Sequence, residues 1–159
     1  MLQSFLFKIK DHRRQQGRRY QLGQILLFSV LAILGNATSY RKVHAFIKAH
    51  YATLDQTFGL HWKRLPAYTT VRAIIQGTSA AALEAGFREY SALLASNDTE
   101  KQFVSFDGKV LRGSFDHFQD QKVIQILSAF LTGPRIILAH EEIARKTNEI
   151  PTAQELMTA

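Results

Sequence analysis

One carboxylate in the second half of the chain stands where a metal or phosphate site would need it. Residues 103–106 form an apolar run of β type that ends at Asp107, and Gly108 predicts a tight turn directly after it. The cations Lys109 and Arg112 follow at once. Burying an acid at the end of a strand is costly unless a cation or a metal compensates its charge. Asp107 is therefore a candidate metal ligand or phosphate-site residue.

The chemistry open to Asp107 depends on whether other acids can join it. Glu141 and Glu142 follow the third predicted strand, but adjacent strand residues point to opposite faces, so at most one of them faces Asp107. Phosphodiester cleavage by two divalent ions about 3.5–4 Å apart needs several converging carboxylates. We therefore expect Asp107 to bind Mg²⁺ weakly at most. Two roles stay open for Lys109 and Arg112: a structural ion pair with Asp107, or contacts to the phosphates of a bound strand.

Composition excludes several other classes of site. The chain has no cysteine, which rules out disulfides and thiolate metal sites and fits a reducing, cytoplasmic compartment. Its six histidines show no tight ligand spacing, so zinc is not predicted. The longest apolar stretch, residues 22–34, is shorter than the roughly 20 residues that a membrane span requires. We expect a buried core helix there and no membrane partner.

The positive charge is concentrated at the start of the chain. The net charge is +7, and residues 1–20 hold six cations against the single acid Asp11. Such a segment suits a polyanion, most simply nucleic acid, although a merely solvated segment is the alternative. The six cations are Lys8, Lys10, Arg13, Arg14, Arg18 and Arg19.

Two kinds of periodicity divide the chain near the polar residues 96–102. Before them the pattern is helical. Ser39 caps a helix that runs to Phe58 and stops at Gly59, a second helix follows Pro66, and Ser79 caps a third. After them come three predicted strands, residues 103–107 with a continuation toward 111, 122–131 and 136–141. The last two form a hairpin. A helix containing Pro151 follows. We therefore predict an α+β chain with a helical module over residues 1–98 and a β-β-β-α unit over residues 99–159.

Four stretches make the chain similar to a known family: residues 11–22, 65–72, 106–114 and 146–151. On these motifs it resembles the N-terminal part of a bacterial insertion-sequence transposase of the DDE class. The subgroup is the one described as H-repeat-associated, or as having a DDE-associated N-terminal domain. The family usually has proline where His12 stands and serine where Thr147 stands.

The resemblance implies a helical N-terminal module followed by a catalytic domain of the ribonuclease-H-like fold. Asp107 matches the family's first catalytic aspartate, which binds Mg²⁺ together with a second aspartate and a glutamate further along. Both partners would fall after Ala159, so we expect a truncated chain that is inactive alone. Its first strand would keep an unpaired apolar edge, giving poor solubility, a dimer, or covering by the helical module. Residues near the metal would be Lys146, Asn148 and Glu149, although Glu149 can instead cap the last helix or pair with Lys146.

Three functions remain open from the sequence. The first is an inactive fragment of a DDE transposase that keeps contact with DNA. The second is a regulator of transposition that occupies element ends or forms mixed oligomers with itself or a full-length transposase. The third is a small hydrolase that uses Asp107 with Glu141 or Glu149.

DNA contact by the helical module has its own alternatives. Arg72 would contact DNA if residues 70–76 belong to a helix-turn-helix, with Trp62, Lys63 and Arg64 just before it. The module could instead only pack against protein. The predicted DNA-contacting residues are Arg13, Arg14, Arg18, Arg19, Arg72, Lys109 and Arg112.

Overall fold

The computed structural model describes residues 2–95, 103–111, 124–143 and 149–158. The chain divides into two compact units, Met1–Gly86 and Phe87–Ala159, and the division falls within the helix Ala80–Ala95. The domain boundary predicted between residues 98 and 99 lies outside the described residues and stays a prediction.

The first unit is helical and is built around one apolar helix. Helix α2 packs against α1, α3 and α5, and Ile25, Phe28 and Ala32 within it are fully buried. The core helix predicted over residues 22–34 is confirmed. In the part of the chain that the structure describes, no helix has the length and apolar character needed to cross a membrane. The helices are α1 (Leu2–Lys8), α2 (Leu22–Leu34), α3 (Tyr40–Ala49), α4 (Tyr51–Phe58), α5 (Tyr68–Gln76) and α6 (Ala80–Ala95), with a 3₁₀ turn at Gln15–Gly17.

Local capping signals set most of the helix ends. The Ser39 hydroxyl accepts a hydrogen bond from the Lys42 N–H at 3.3 Å, which confirms the predicted start of α3. Ser79 likewise accepts from the Ala82 N–H at 3.2 Å at the start of α6. Gly59 ends α4 in the left-handed region, at φ 55°, where glycine lacks the Cβ penalty.

The single helix predicted from Ser39 to Phe58 is wrong. The chain forms two helices, α3 and α4, separated at His50, whose φ of −102° and ψ of 11° depart from helical values. The N–H of His50 still donates to the Phe46 carbonyl, and the His50 carbonyl accepts from Leu54. The apolar stripe therefore continues across a break that its periodicity does not reveal.

The second unit contains a three-stranded antiparallel sheet in the order β1-β2-β3, followed by a helix. The predicted β2–β3 hairpin and the β-β-β-α order are confirmed, and the chain is α+β. Helix α7 packs against β2 and β3, and Leu127, Ala129, Leu131 and Ala139 are buried on one face of the sheet. The elements are β1 (Val104–Val110), β2 (Gln125–Leu131), β3 (Ile136–Glu142) and α7 (Glu149–Thr158).

Candidate nucleic-acid and metal sites

Asp107 lies in the middle of a strand rather than at its end. It is exposed, and it pairs with Ser128 across the β1–β2 ladder. The tight turn predicted at Gly108 is wrong, because Gly108 continues the ladder opposite Leu127, whereas the predicted continuation of the strand toward residue 111 is confirmed as far as Val110. Glycine is suited to this place because a Cβ there would lie 2.5 Å from a carboxylate oxygen of Glu149. The cost of a buried acid, on which the sequence argument rested, does not apply to an exposed Asp107.

An open groove of about 440 Å³ covers the face of the sheet that carries Asp107. Lys109 lies two residues along the same strand and therefore on the same face. Among the described residues Asp107 and Lys109 form no ion pair with each other. Arg112, the other predicted partner, lies outside the described residues. The groove is lined by Ser105, Asp107, Lys109, Leu111, Ile126, Ser128, Phe130, Ile137 and His140.

The other acids do not converge on Asp107. Glu142 pairs with Ile126 and therefore lies on the same face of the sheet as Asp107. It is two residues along β3 from His140, which pairs with the Ser128 that lies opposite Asp107. Glu141 is on the opposite face, where its carboxylate accepts from Arg88 at 3.0 Å. Glu149 also lies on that face, above Gly108.

In the described ranges no group of three or more histidine, cysteine or acidic side chains is arranged to hold a metal ion. Of the residues predicted near the metal, Lys146 and Asn148 lie outside the described residues. The described residues thus supply one carboxylate to the Asp107 groove.

The arginines of the N-terminal loop divide into two kinds. The Arg13 guanidinium donates to the Asp11 carboxylate at 2.7 and 2.9 Å and to the carbonyls of Gly17 and Tyr20. Its side chain is only 12% exposed. Arg18 donates to the carbonyls of Arg13 and Asp11. These two arginines hold the loop together.

The Arg13 guanidinium also sets the charge state of Asp11. Its hydrogen bond is the largest of the causes that lower the pKa of Asp11 below the ordinary value of 3.8. Desolvation by burial works in the opposite direction. The Arg13 backbone N–H and the charges of Arg13 and Arg18 add to the lowering.

The remaining predicted arginines are exposed to solvent. Within the described residues the side chains of Arg14, Arg19 and Arg72 make no hydrogen bond or ion pair. Arg72 projects from α5, which is anchored by the buried Val71 and Ile74. The nine residues between α4 and α5 are more than the three or four of a helix-turn-helix, so these two helices do not form that motif.

Arg19 borders a cavity that we call the basic pocket. The pocket has a volume of about 650 Å³ and lies at the N-terminal end of α2. Sequence reasoning singled out Arg19, Trp62, Lys63 and Arg64 but missed Gln24. A polar residue inside an apolar helix was the available signal. The lining residues are Arg19, Gln21, Gln24, Gly59, Leu60, His61, Trp62, Lys63 and Arg64.

Comparison with known proteins gives the family of this chain. The family model described as DDE_Tnp_1-associated matches residues 3–91, which include all but the first residue of α1, all of α2 to α5, most of α6 and every residue of the basic pocket. The chain belongs to this family.

The similarity to individual relatives extends over both units of the chain. The chain is 27% identical over 149 residues, 94% of its length, to the "H repeat-associated putative transposase YhhI" of Escherichia coli K12. It is 26% identical, again over 94% of its length, to the "H repeat-associated putative transposase YbfD" of the same strain. The "Putative transposase YncI" of Escherichia coli O157:H7 is 26% identical over 98% of the chain.

The chain is shorter than these relatives. It spans 39% of the length of YhhI, 58% of YbfD and 40% of YncI. No solved structure is significantly similar to it.

Proposed function

We propose that this chain acts in DNA transposition and that its first unit contacts DNA. The observation that carries the proposal is that the part of the chain matched by the family also presents exposed cations. The family match of residues 3–91 covers the loops that present Arg14, Arg19, Lys63 and Arg64 to solvent, and relatives matched over 94% of the chain are named putative transposases. Exposed cations without partners are free to neutralise phosphates.

A binding titration tests this proposal. We expect the chain to bind a fluorescently labelled DNA duplex, with log K falling linearly against log salt at a slope of about −0.9 for each phosphate neutralised. Polyglutamate of equal charge serves as the control for binding to any polyanion. Absence of binding at about 50 mM salt, or equal affinity for the polyglutamate, would contradict the proposal.

For the second unit we propose the start of a ribonuclease-H-like domain, with Asp107 as the first acid of a Mg²⁺ site. The β-β-β-α order and the place of Asp107 on β1 support this. The described residues do not fit a metal pair, because Asp107 is the one acid among the residues that line the groove and no group of three or more potential ligands is found among the described residues. We therefore assign no reaction step to a metal in this chain.

The chain alone is accordingly proposed not to cut DNA. A supercoiled plasmid incubated with the chain and Mg²⁺ at neutral pH should stay supercoiled, because a lone acid supplies too few ligands for two ions. Asp107→Asn is the matched control. Nicking that chelator abolishes and that Asp107→Asn lacks would replace this proposal with the small-hydrolase hypothesis.

A regulatory role is the second candidate, and the exposed strand β1 favours it. Within the described residues β1 pairs only with β2, and Val104 and Val110 on it are about half exposed. Such an edge can add a strand from another chain. Co-purification of the chain with a full-length relative, together with preferential binding to the ends of its element, would support this role over simple DNA contact.

A further inference from the structure

We infer that the basic pocket binds a single phosphate group of a DNA strand. The inference rests on the proposed DNA contact and goes further, because it locates a built site and names the group it takes. This phosphate site is distinct from DNA contact by Arg72 on α5, which would not involve the pocket.

The charged side chains in the lining of the basic pocket are all cations. Three of its nine lining residues, Arg19, Lys63 and Arg64, are cations, and no carboxylate is among the nine. All three are exposed, and none has a hydrogen bond or ion pair from its side chain among the described residues. Arginine offers planar, bidentate donors that match phosphate oxygens. The pocket therefore has three cationic side chains in its lining that make no ion pair with the described residues.

Gln24 gives an independent indication of a ligand. It is only 8% exposed, and its side-chain amide makes no hydrogen bond with a described residue. Its amide nitrogen and oxygen are solvent-accessible, because no buried side-chain nitrogen or oxygen atom in the described residues lacks a hydrogen-bond partner. By contrast, the buried Ser29 hydroxyl on the same helix donates to the Ile25 carbonyl at 2.7 Å. Gln24 lines the pocket, so its amide group is available to an oxygen that enters there.

The start of helix α2 adds donors of the same kind. Gln21, which precedes α2, makes no side-chain capping bond, and both Gln21 and Gln24 line the pocket. The first backbone N–H groups of a helix have no partner within the helix, and its N-terminal end carries partial positive charge. An oxyanion at this position would gain from both.

The far wall of the pocket is held in place by specific contacts. Gly59 and His61 both adopt positive φ, 55° and 50°, and the Asp55 carboxylate accepts from the N–H groups of Leu60 and His61. The hydroxyl of Tyr51 donates to the Trp62 carbonyl at 3.2 Å. The Tyr20 hydroxyl donates to the Arg64 carbonyl, also at 3.2 Å. Because the backbone from Gly59 to Arg64 is fixed, little ordering is required when a ligand binds.

The chain supplies its own reporter for this site. Trp62 lines the pocket and is the only tryptophan in the sequence. We expect its fluorescence emission to change when a short single-stranded oligothymidylate is titrated into the full chain. An oligomer of the same length with a neutral methylphosphonate backbone should leave the emission unchanged, because it lacks the phosphate charge.

Substitutions separate this pocket from general attraction to DNA. Arg19→Gln and Arg64→Gln should each weaken oligothymidylate binding about tenfold and remove the Trp62 response. Gln24→Glu is nearly isosteric and should do the same by placing a negative charge in the pocket. The matched controls Lys48→Gln and Arg135→Gln each remove one exposed positive charge that is not in the pocket lining and makes no side-chain hydrogen bond or ion pair among the described residues. They should weaken binding no more than about threefold and keep the response.

The outcomes distinguish the two proposals. If DNA binds with no Trp62 response, or if the control variants lose as much affinity as the pocket variants, the pocket is not the site and the proposed DNA contact stands. If neither duplex nor single strand binds, both proposals fail. Circular dichroism of each variant confirms that it is folded before its affinity is interpreted.

Discussion

Two arginines one position apart, Arg13 and Arg14, have different roles. Both belong to the basic stretch, and charge patterning treats them alike. The Arg13 side chain makes hydrogen bonds to Asp11, Gly17 and Tyr20 and is nearly buried, whereas the Arg14 side chain is exposed and makes none within the described residues. The number of cations in a segment is therefore not the number available to a polyanion.

The pair offers a direct test of this division. Arg13→Gln should lower the free energy of unfolding by about 1–2 kcal/mol, because several charge-assisted hydrogen bonds are lost. Arg14→Gln should change it by less than about 0.5 kcal/mol, as expected for an exposed side chain. Urea unfolding followed by circular dichroism measures both. Equal effects of the two substitutions would show that the hydrogen bonds of Arg13 contribute no net stability.

The lowered pKa of Asp11 predicts a pH dependence with a definite sign. A carboxylate whose pKa is lower in the folded chain stabilises it fully above the unfolded value, which is close to 3.8, and loses that contribution as pH falls through the folded value. Asp11→Asn should therefore melt below the parent chain at pH 6, and the gap should shrink at pH values below 3.8. A gap that stays constant down to pH 2.5 would assign the effect to packing instead of ionisation.

Helices α1 and α6 meet where a glycine leaves room for an aromatic ring. A Cβ added at Gly86 would lie 2.6 Å from the Phe5 ring, and Phe5 is buried. Gly86→Ala should lower the free energy of unfolding by about 1–2 kcal/mol, because overpacking outweighs the gain in helix propensity of up to about 1 kcal/mol.

A double-mutant cycle provides the control for this contact. In a Phe5→Leu background the same Gly86→Ala substitution should be neutral or stabilising, since the smaller side chain removes the clash. Destabilisation of equal size in both backgrounds would mean that the helices are not in contact at this position.

Local signals predicted the elements well where local interactions decide them. The caps at Ser39 and Ser79 and the stop at Gly59 follow from side-chain hydrogen bonding and glycine conformation. The break at His50 was missed, and a tight turn was predicted at Gly108, where the strand in fact continues. The continuation of β1 depends on pairing with β2, which is distant in the sequence.

The sites were predicted less completely than the elements. Residue type identified Asp107, Arg19 and the Trp62–Arg64 stretch. It did not show which cations make hydrogen bonds within the N-terminal loop and are therefore not available to a ligand. Gln24 was missed because its importance comes from burial beside a cavity, and burial of one helix face is fixed only when the helices pack. The exposure of Asp107 could not be read from an apolar run, because it depends on what covers that face of the sheet.

The two units have different chemical characters. The first unit carries the basic pocket, and the second carries one candidate catalytic acid on an open sheet face. The relatives are up to about two and a half times as long as this chain. The proposals made above therefore assign DNA contact to the first unit and the single carboxylate of the groove to the second.

The exposed edge of β1 leads to a prediction about self-association. Val110 on this strand is 50% exposed, and within the described residues the strand pairs only with β2. Unpaired N–H and C=O groups beside apolar side chains favour pairing with another chain, and a lysine at the edge opposes it. We expect the weight-average mass in sedimentation equilibrium to rise with concentration for the parent chain and to rise less for Val110→Lys.

Ile150→Lys is the matched control, because it exchanges an equally apolar, 66% exposed residue on α7 for the same charge without touching the edge. If both substitutions reduce association equally, net charge is responsible. If the parent chain is a monomer at every concentration, β1 is not an open edge in solution.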